Sequence, residues 1–121
     1  MKKTELGNWG ELVAANFLRN GGYDIAERNY RTRFGEIDII VQNAEITAFV
    51  EVKLRKDDRF AKALESVTRS KQAKIIEAAK AWLMEHEDAP QPRFDVIEIY
   101  APQGDKTEFL KINHIKNAFG T

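Results

Sequence analysis

Two stretches decide how this chain folds, Glu36-Ile37-Asp38-Ile39-Ile40-Val41 and Phe49-Val50-Glu51-Val52-Lys53. Both read as strands, because apolar β-branched residues alternate with charged ones and successive strand side chains point to opposite faces. Glu36 and Asp38 then share one face and Ile37 and Ile39 the other, while Glu51 and Lys53 lie opposite Val50 and Val52. The tight connection Gln42-Asn43-Ala44-Glu45 makes the pair a hairpin, with the second strand running Ile46 to Lys53. A turn centred on Asn43-Ala44 pairs residues whose numbers sum to 87, placing Asp38 opposite Phe49 and Glu36 opposite Glu51. A turn centred on Ala44-Glu45 raises that sum to 89 and places Asp38 opposite Glu51. Either odd sum gathers Asp38, Glu51 and Lys53 on one face, whereas an even sum would mix charge into the core. Directly opposed side chains have Cβ atoms ~4.5–5.5 Å apart, close enough for two carboxylates to meet on one cation. Without a positive charge between them they would raise one another's pKa. The ordinary alternative is charge on the solvated face of a half-exposed sheet.

Outward from the hairpin the elements alternate. Leu6, Trp9, Val13 and Phe17 recur at helical spacing, with Leu12, Ala15 and Leu18 widening the stripe, so a helix is expected from about Leu6 to Asn20, closed by Gly21-Gly22. Tyr23 to Tyr30 reads as a strand, followed by the polar turn Arg31-Thr32-Arg33-Phe34-Gly35. After the hairpin come a charged loop, Arg55 to Phe60, and a short helical segment, Ala61 to Val67. Thr68 or Ser70 can cap a longer helix reaching about Glu85, its inner face Ile75, Ile76, Ala79, Trp82 and Leu83. Pro90 and Pro92 end that region; Phe94 to Tyr100 reads as a fourth strand and Phe109 to Ile112 as a short fifth. The order α-β-β-β-α-β(-β) predicts an α/β fold, a mixed central sheet flanked by helices.

Composition narrows the chemistry. One domain over residues 1–121 is expected from a chain of 121 residues with 43% hydrophobic and 31% charged residues. No cysteine is present, which excludes a thiolate nucleophile, an iron–sulfur cluster and a cysteine zinc site, and His86 and His114 read as surface residues rather than ligands. Met1-Lys2-Lys3-Thr4 leads into no apolar run and no stretch approaches the ~20 apolar residues of a membrane span, so a cytoplasmic protein without membrane contact is expected. The formal net charge is zero, but its distribution is uneven. Val52 to Lys80 holds nine Lys/Arg against four Asp/Glu, and Trp82 to Phe109 holds two against seven. Such asymmetry marks a candidate binding face that the total conceals.

Two polar residues add to the hairpin. Glu11 sits in line with Ala15 and Leu18, at the border of the first helix's apolar stripe, from where it can reach the sheet. Gln72, with Lys71 beside it, falls in the first turn of the long helix in register with Ile75/Ile76 and Ala79, directing a neutral polar group inward.

These residues resemble a known family. Glu11, Gly35-Glu36-Ile37-Asp38-Ile39-Ile40 and Phe49-Val50-Glu51-Val52-Lys53-Leu54-Arg55 look like the PD-(D/E)XK core of restriction endonuclease-like folds. Gly7-Asn8-Trp9-Gly10-Glu11, Arg28 to Arg33, Lys71-Gln72, Ala78-Ala79, Trp82-Leu83 and Arg93-Phe94-Asp95-Val96 narrow the resemblance to the YraN family of predicted endonucleases, similar to archaeal Holliday-junction resolvases. Ile37 stands where the superfamily's name-giving proline would be, a position without a metal-binding role. The resemblance implies a Mg²⁺- or Mn²⁺-dependent DNA endonuclease acting on branched or single-stranded DNA. It implies that Asp38, Glu51 and the Val52 backbone carbonyl bind the metal, with Glu11 completing the site through a water or a second ion. Lys53 would orient or help deprotonate the attacking water, and Gln72 would support the site from the helix. A resolvase-like activity further implies a twofold homodimer. Arg28, Arg31, Arg33, Arg55, Lys56, Arg59, Arg69, Lys71 and Lys74 are the expected phosphate contacts. The competing expectation is a catalytically idle module of the same fold that grips DNA or a partner, which has no need of Asp38 and Glu51 together.

Overall fold

The computed structural model describes residues 2–57 and 67–120. Helix α1 (Lys3–Asn20) leads into three antiparallel strands, β1 (Asp24–Arg31), β2 (Glu36–Gln42) and β3 (Ile46–Arg55). Helix α2 (Arg69–Met84) then returns the chain to β4 (Gln91–Tyr100), which lies parallel to β3. A single 3-10 turn, Gly104–Lys106, precedes β5 (Lys111–Phe119), antiparallel to β4. The strands form one sheet in the order β1-β2-β3-β4-β5. This is a mixed α/β fold in the expected order, with the central sheet flanked by helices.

Each helix covers its own face. Ala14, Ala15 and Leu18 of α1 pack on Ile39, Val41, Ala48, Val50, Ile97 and Ile99, while Ile75, Ala78, Ala79 and Trp82 of α2 pack on Ile37, Ile40, Phe49 and Val96. Strand β3 is therefore buried on both faces along its centre. Charges on such a strand are not surface decoration, because a buried charge needs a partner.

Three expectations change. The inner face of α1 is Gly10, Ala14, Ala15 and Leu18, whereas Leu12 and Phe17 are exposed and Trp9 and Val13 only half-buried. Small side chains set this rotation, because they let the helix lie close on the sheet; a Cβ on Gly10 would sit 3.7 Å from Leu54. The fifth strand is Lys111–Phe119 rather than Phe109–Ile112, and Phe109 is 83% exposed. A register shift between Phe94 and Val96 and a φ of 55° at Asn117 break the alternation by which β5 would have been recognised. Strand β4 begins at Gln91 and includes Pro92, opposite Thr47, so of Pro90 and Pro92 the first alone lies before it. The expected segment Ala61–Val67, apart from Val67, lies outside the described residues, as do Arg59, Phe60 and Lys62. Among the described residues no helix is long and apolar enough to cross a membrane.

Candidate metal and phosphate site

The site begins at a turn remote from it. Asn43 Oδ1 accepts from the backbone N–H groups of Glu45 (2.9 Å) and Ile46 (2.8 Å), and Asn43 N donates to the Ile46 carbonyl (3.0 Å). Such side-chain bonds to the following backbone are what favours asparagine in turns. Ala44 and Glu45 are thus the central residues, and the ladder pairs Gln42 with Thr47, Val41 with Ala48, Ile40 with Phe49 and Ile39 with Val50. This is the register whose sums equal 89, and its next position sets Asp38 against Glu51.

At that position the ladder stops. Asp38 Oδ2 takes the Val52 N–H at 2.8 Å, so a side chain replaces the backbone acceptor. The alternation of β2 breaks at the same point: Ile39 joins the core under α1, whereas Ile37 joins Ile40 in the core under α2. The expectation that Ile37 and Ile39 share a face therefore fails, because β2 is released from β3 beyond Ile39. Across the other edge of β2, Asn29 has a φ of 52°, a conformation asparagine tolerates better than most residues. Its side chain lies beside Glu11, which reaches in from α1. Turn Thr32–Gly35 closes with the Thr32 N–H on the Gly35 carbonyl (2.9 Å). A Cβ on Gly35 would come within 3.0 Å of the Lys74 Cβ and 3.2 Å of its carbonyl, so glycine is what allows this turn to lie against α2.

The result is a carboxylate pair between two helices. Glu51, 5% exposed, touches the Asp38 carboxyl and offers its Oε1 to two ammonium groups, Lys71 and Lys53 (3.5 Å). Burial, and next the charge of Glu51, push the Asp38 carboxyl up to about 8 despite the Val52 N–H. Burial also raises Glu11, against the pull of nearby Arg28. Lys53 is lowered, chiefly by burial and by Lys71 beside it. Burial opposes the charge on Lys71 as well, but its bonds to Glu51 and Lys53 and the charges of Glu51 and Asp38 together outweigh this and lift it above an ordinary lysine. A cleft of about 340 Å³ opens over the pair, lined by Gly35, Glu36, Asp38 and Glu51 on one side and Thr68, Ser70, Lys71 and Lys74 on the other.

The donor set suits a hard divalent ion. Two carboxylates meet there, and Glu11 Oε1 is buried with no hydrogen-bond partner among the described residues. A strand residue directs its N–H and C=O toward the same edge, so the Val52 carbonyl also faces the gap that its N–H shares with Asp38. Among the described residues no three carboxylates or imidazoles close around one point. An ion held here would keep water or substrate oxygens in its shell, as Mg²⁺ commonly does with one or two carboxylates.

Other expected residues fall elsewhere. Gln72 gives its Nε2–H to the Val67 carbonyl (2.8 Å), bracing the approach to α2 rather than the carboxylates. Lys71, expected on phosphate, instead reaches Glu51. The spacing Lys71, Ile75, Ala78, Trp82 places it on the buried face of α2, a signal open to sequence reading but spent on Gln72. Arg28 is exposed near Glu11, Arg31 pairs with Glu36 at 3.5 Å, and Arg33 lies 4.9 Å over the Phe34 ring. Lys56, Arg69 and Lys74 are exposed, as expected of phosphate contacts. Arg55 is half-buried, its Nε and one Nη without a partner among the described residues. His114 is no surface residue: its Nε2 lies 2.8 Å from Asp95 and its side chain is 10% exposed.

The sheet order, its two covering helices and the acidic pair where β2 parts from β3 make a mixed α/β architecture compatible with a restriction endonuclease-like core. The chain belongs to the family described as "Uncharacterised protein family UPF0102", whose model matches residues 10–99, a span containing Glu11, Asp38, Glu51, Lys53, Lys71 and Gln72. The family is consistent with the YraN resemblance. A UPF0102 protein of Chlorobium chlorochromatii is 44% identical over 117 residues, 95% of this chain and 91% of the relative. One of Caldicellulosiruptor saccharolyticus is 42% identical over 98% of this chain and all of the relative, and one of Clostridioides difficile 42% over the same shares.

Proposed function

We propose that this protein is a Mg²⁺- or Mn²⁺-dependent endonuclease that hydrolyses phosphodiester bonds of DNA, branched or single-stranded DNA being the favoured substrate. The observation that carries the reading is the meeting of Asp38, which has a single backbone N–H, with Glu51 at the end of the β2–β3 ladder, open to a cleft. A structural pair would be neutralised by donors. Here burial and the charge of Glu51 raise the Asp38 carboxyl, and the single N–H of Val52 does not offset them, a perturbation of the kind that clusters at functional sites.

Asp38, Glu51 and the Val52 carbonyl would hold the ion, with Glu11 behind them. When bound, such an ion lowers the pKa of a coordinated water and offsets charge growing on the phosphate. Lys53, on the same strand as Glu51, orients the attacking water and faces the phosphate. Water adds to phosphorus, the ester P–O bond breaks, and the leaving oxygen takes up a proton.

The charges of α2 support an anionic substrate. Its first turn holds no acidic residue and its last turn no basic one, the reverse of what the helix dipole favours. Arg69, Lys71 and Lys74 instead crowd the N-terminal end, where the helix dipole already attracts phosphate. The opposite end of α2 borders a cleft lined by Asp24, Glu85, Glu87 and Asp88, which repels it. Arg69, Lys71 and Lys74 at one end of α2 and Glu85, Glu87 and Asp88 beyond the other thus carry part of the uneven charge distribution.

The test is cleavage of end-labelled branched, single-stranded and duplex DNA with Mg²⁺ or Mn²⁺. We expect cleavage by the wild type and a loss of ~10³-fold or more in Asp38→Ala, Glu51→Ala and Lys53→Ala. Undiminished cleavage by Glu51→Ala would overturn the assignment.

A further inference from the structure

Lys71 and Lys53 both bind Glu51 Oε1, yet they are held differently. Lys53 stands two residues along β3 from Glu51, and its side chain is 21% exposed. Lys71 comes from the first turn of α2, its side chain is 42% exposed, and it lines the open cleft beside Lys74. A cation in the first turn of a helix is disfavoured by the dipole. Among the described residues, Glu51 is the carboxylate with which Lys71 pairs, and the charge of Asp38 adds a weaker pull.

Resting on the endonuclease reading, we propose that Lys71 is a displaceable stand-in for the metal. It neutralises Glu51 until a divalent ion takes that carboxylate, and it is then released into the cleft to bind a DNA phosphate. The incoming ion repels Lys71, the helix N-terminus continues to disfavour it, and the cleft side is open. An anion becomes its only favourable partner, so metal and DNA binding are coupled through one side chain.

The experiment is calorimetric titration of Mn²⁺ alone into the wild type, Lys71→Gln and Lys71→Arg without DNA, each first shown by thermal melting to be folded. We expect Lys71→Gln to bind Mn²⁺ about tenfold tighter than wild type, because a competitor has gone, and Lys71→Arg to stay within about threefold of wild type. Unchanged or weaker binding by Lys71→Gln overturns the inference while leaving the endonuclease reading intact. A wild type that binds no Mn²⁺ fails that reading and this inference with it. A second arm measures duplex DNA binding by fluorescence anisotropy in EDTA. Wild type and Lys71→Gln should agree within about twofold, since metal-free Lys71 is occupied by Glu51; a tenfold loss in the variant would mean that it already binds phosphate, and would overturn the hand-over.

Discussion

Asp95 on β4 and Asp38 on β2 are aspartates of the same sheet in opposite condition. Asp95 is wholly buried and receives Arg93 through both Nε and an Nη (2.8 Å each), His114 Nε2 (2.8 Å) and the Asn117 N–H (3.0 Å). Arg93 in turn donates to the Tyr23 hydroxyl at 2.8 Å. Burial alone would raise Asp95, but the bonds from His114, Arg93 and Asn117 outweigh it and hold the carboxyl below its ordinary value. Asp38 has one backbone N–H and two carboxylate neighbours, and is pushed up. Burial is common to both, so donor supply makes the difference. A saturated carboxylate ties strands together, whereas one left short of donors is ready for a ligand.

The contrast breaks most visibly at Asp95. Removing one partner of a buried ionic network leaves the others unpaired, so Asp95→Ala should destabilise the protein by ~3–5 kcal/mol in urea unfolding. With a carboxyl lowered in the fold, that stability is present at neutral pH and is lost only as pH falls below about 4.

Asp38 should show the opposite sign and a smaller size. Its carboxyl holds a proton more tightly folded than unfolded, so the stability it contributes is complete near pH 4 and fades as pH rises toward about 8. In metal-free protein, Asp38→Asn should therefore be more stable than wild type by about 1–3 kcal/mol at pH 8 and nearly equal at pH 4, read from paired denaturation curves. Equal stability at both pH values would place Asp38 with the saturated class. At the bottom of the scale, Arg31 and Glu36 form a pair with side chains 77% and 44% exposed. Arg31→Ala should change stability by less than ~0.5 kcal/mol in the same assay.

Much of this was readable in advance, and the misses have physical causes. The hairpin, its odd parity and the gathering of Asp38 and Glu51 follow from a period of two, while sequence left open whether Asp38 faces Phe49 or Glu51, a two-residue slip that Asn43 decides. What alternation cannot show is where a ladder ends, so the fates of Ile37 and Ile39 were misjudged. The inner face of α1 was misplaced because Gly10, Ala14 and Ala15 pack by being small, which a search for large apolar residues passes over. The inward place of Lys71 is legible from its spacing with Ile75, Ala78 and Trp82, whereas His114 faces inward because Asp95 waits there, a pairing invisible until the strands are side by side.

Turn length is usually among the most forgiving variables of a small protein. In the β2–β3 turn it acts as a vernier. The bonds of Asn43 choose which rung faces which, and the choice is read out at Asp38, five residues or roughly 17 Å along the strand. One residue gained or lost there would turn an acid into the core, and a slip of two rungs would align Glu36 instead. Relatives that vary this turn should therefore do so by compensated exchange rather than by change of length, and an engineered insertion there should disable the cleft without touching it.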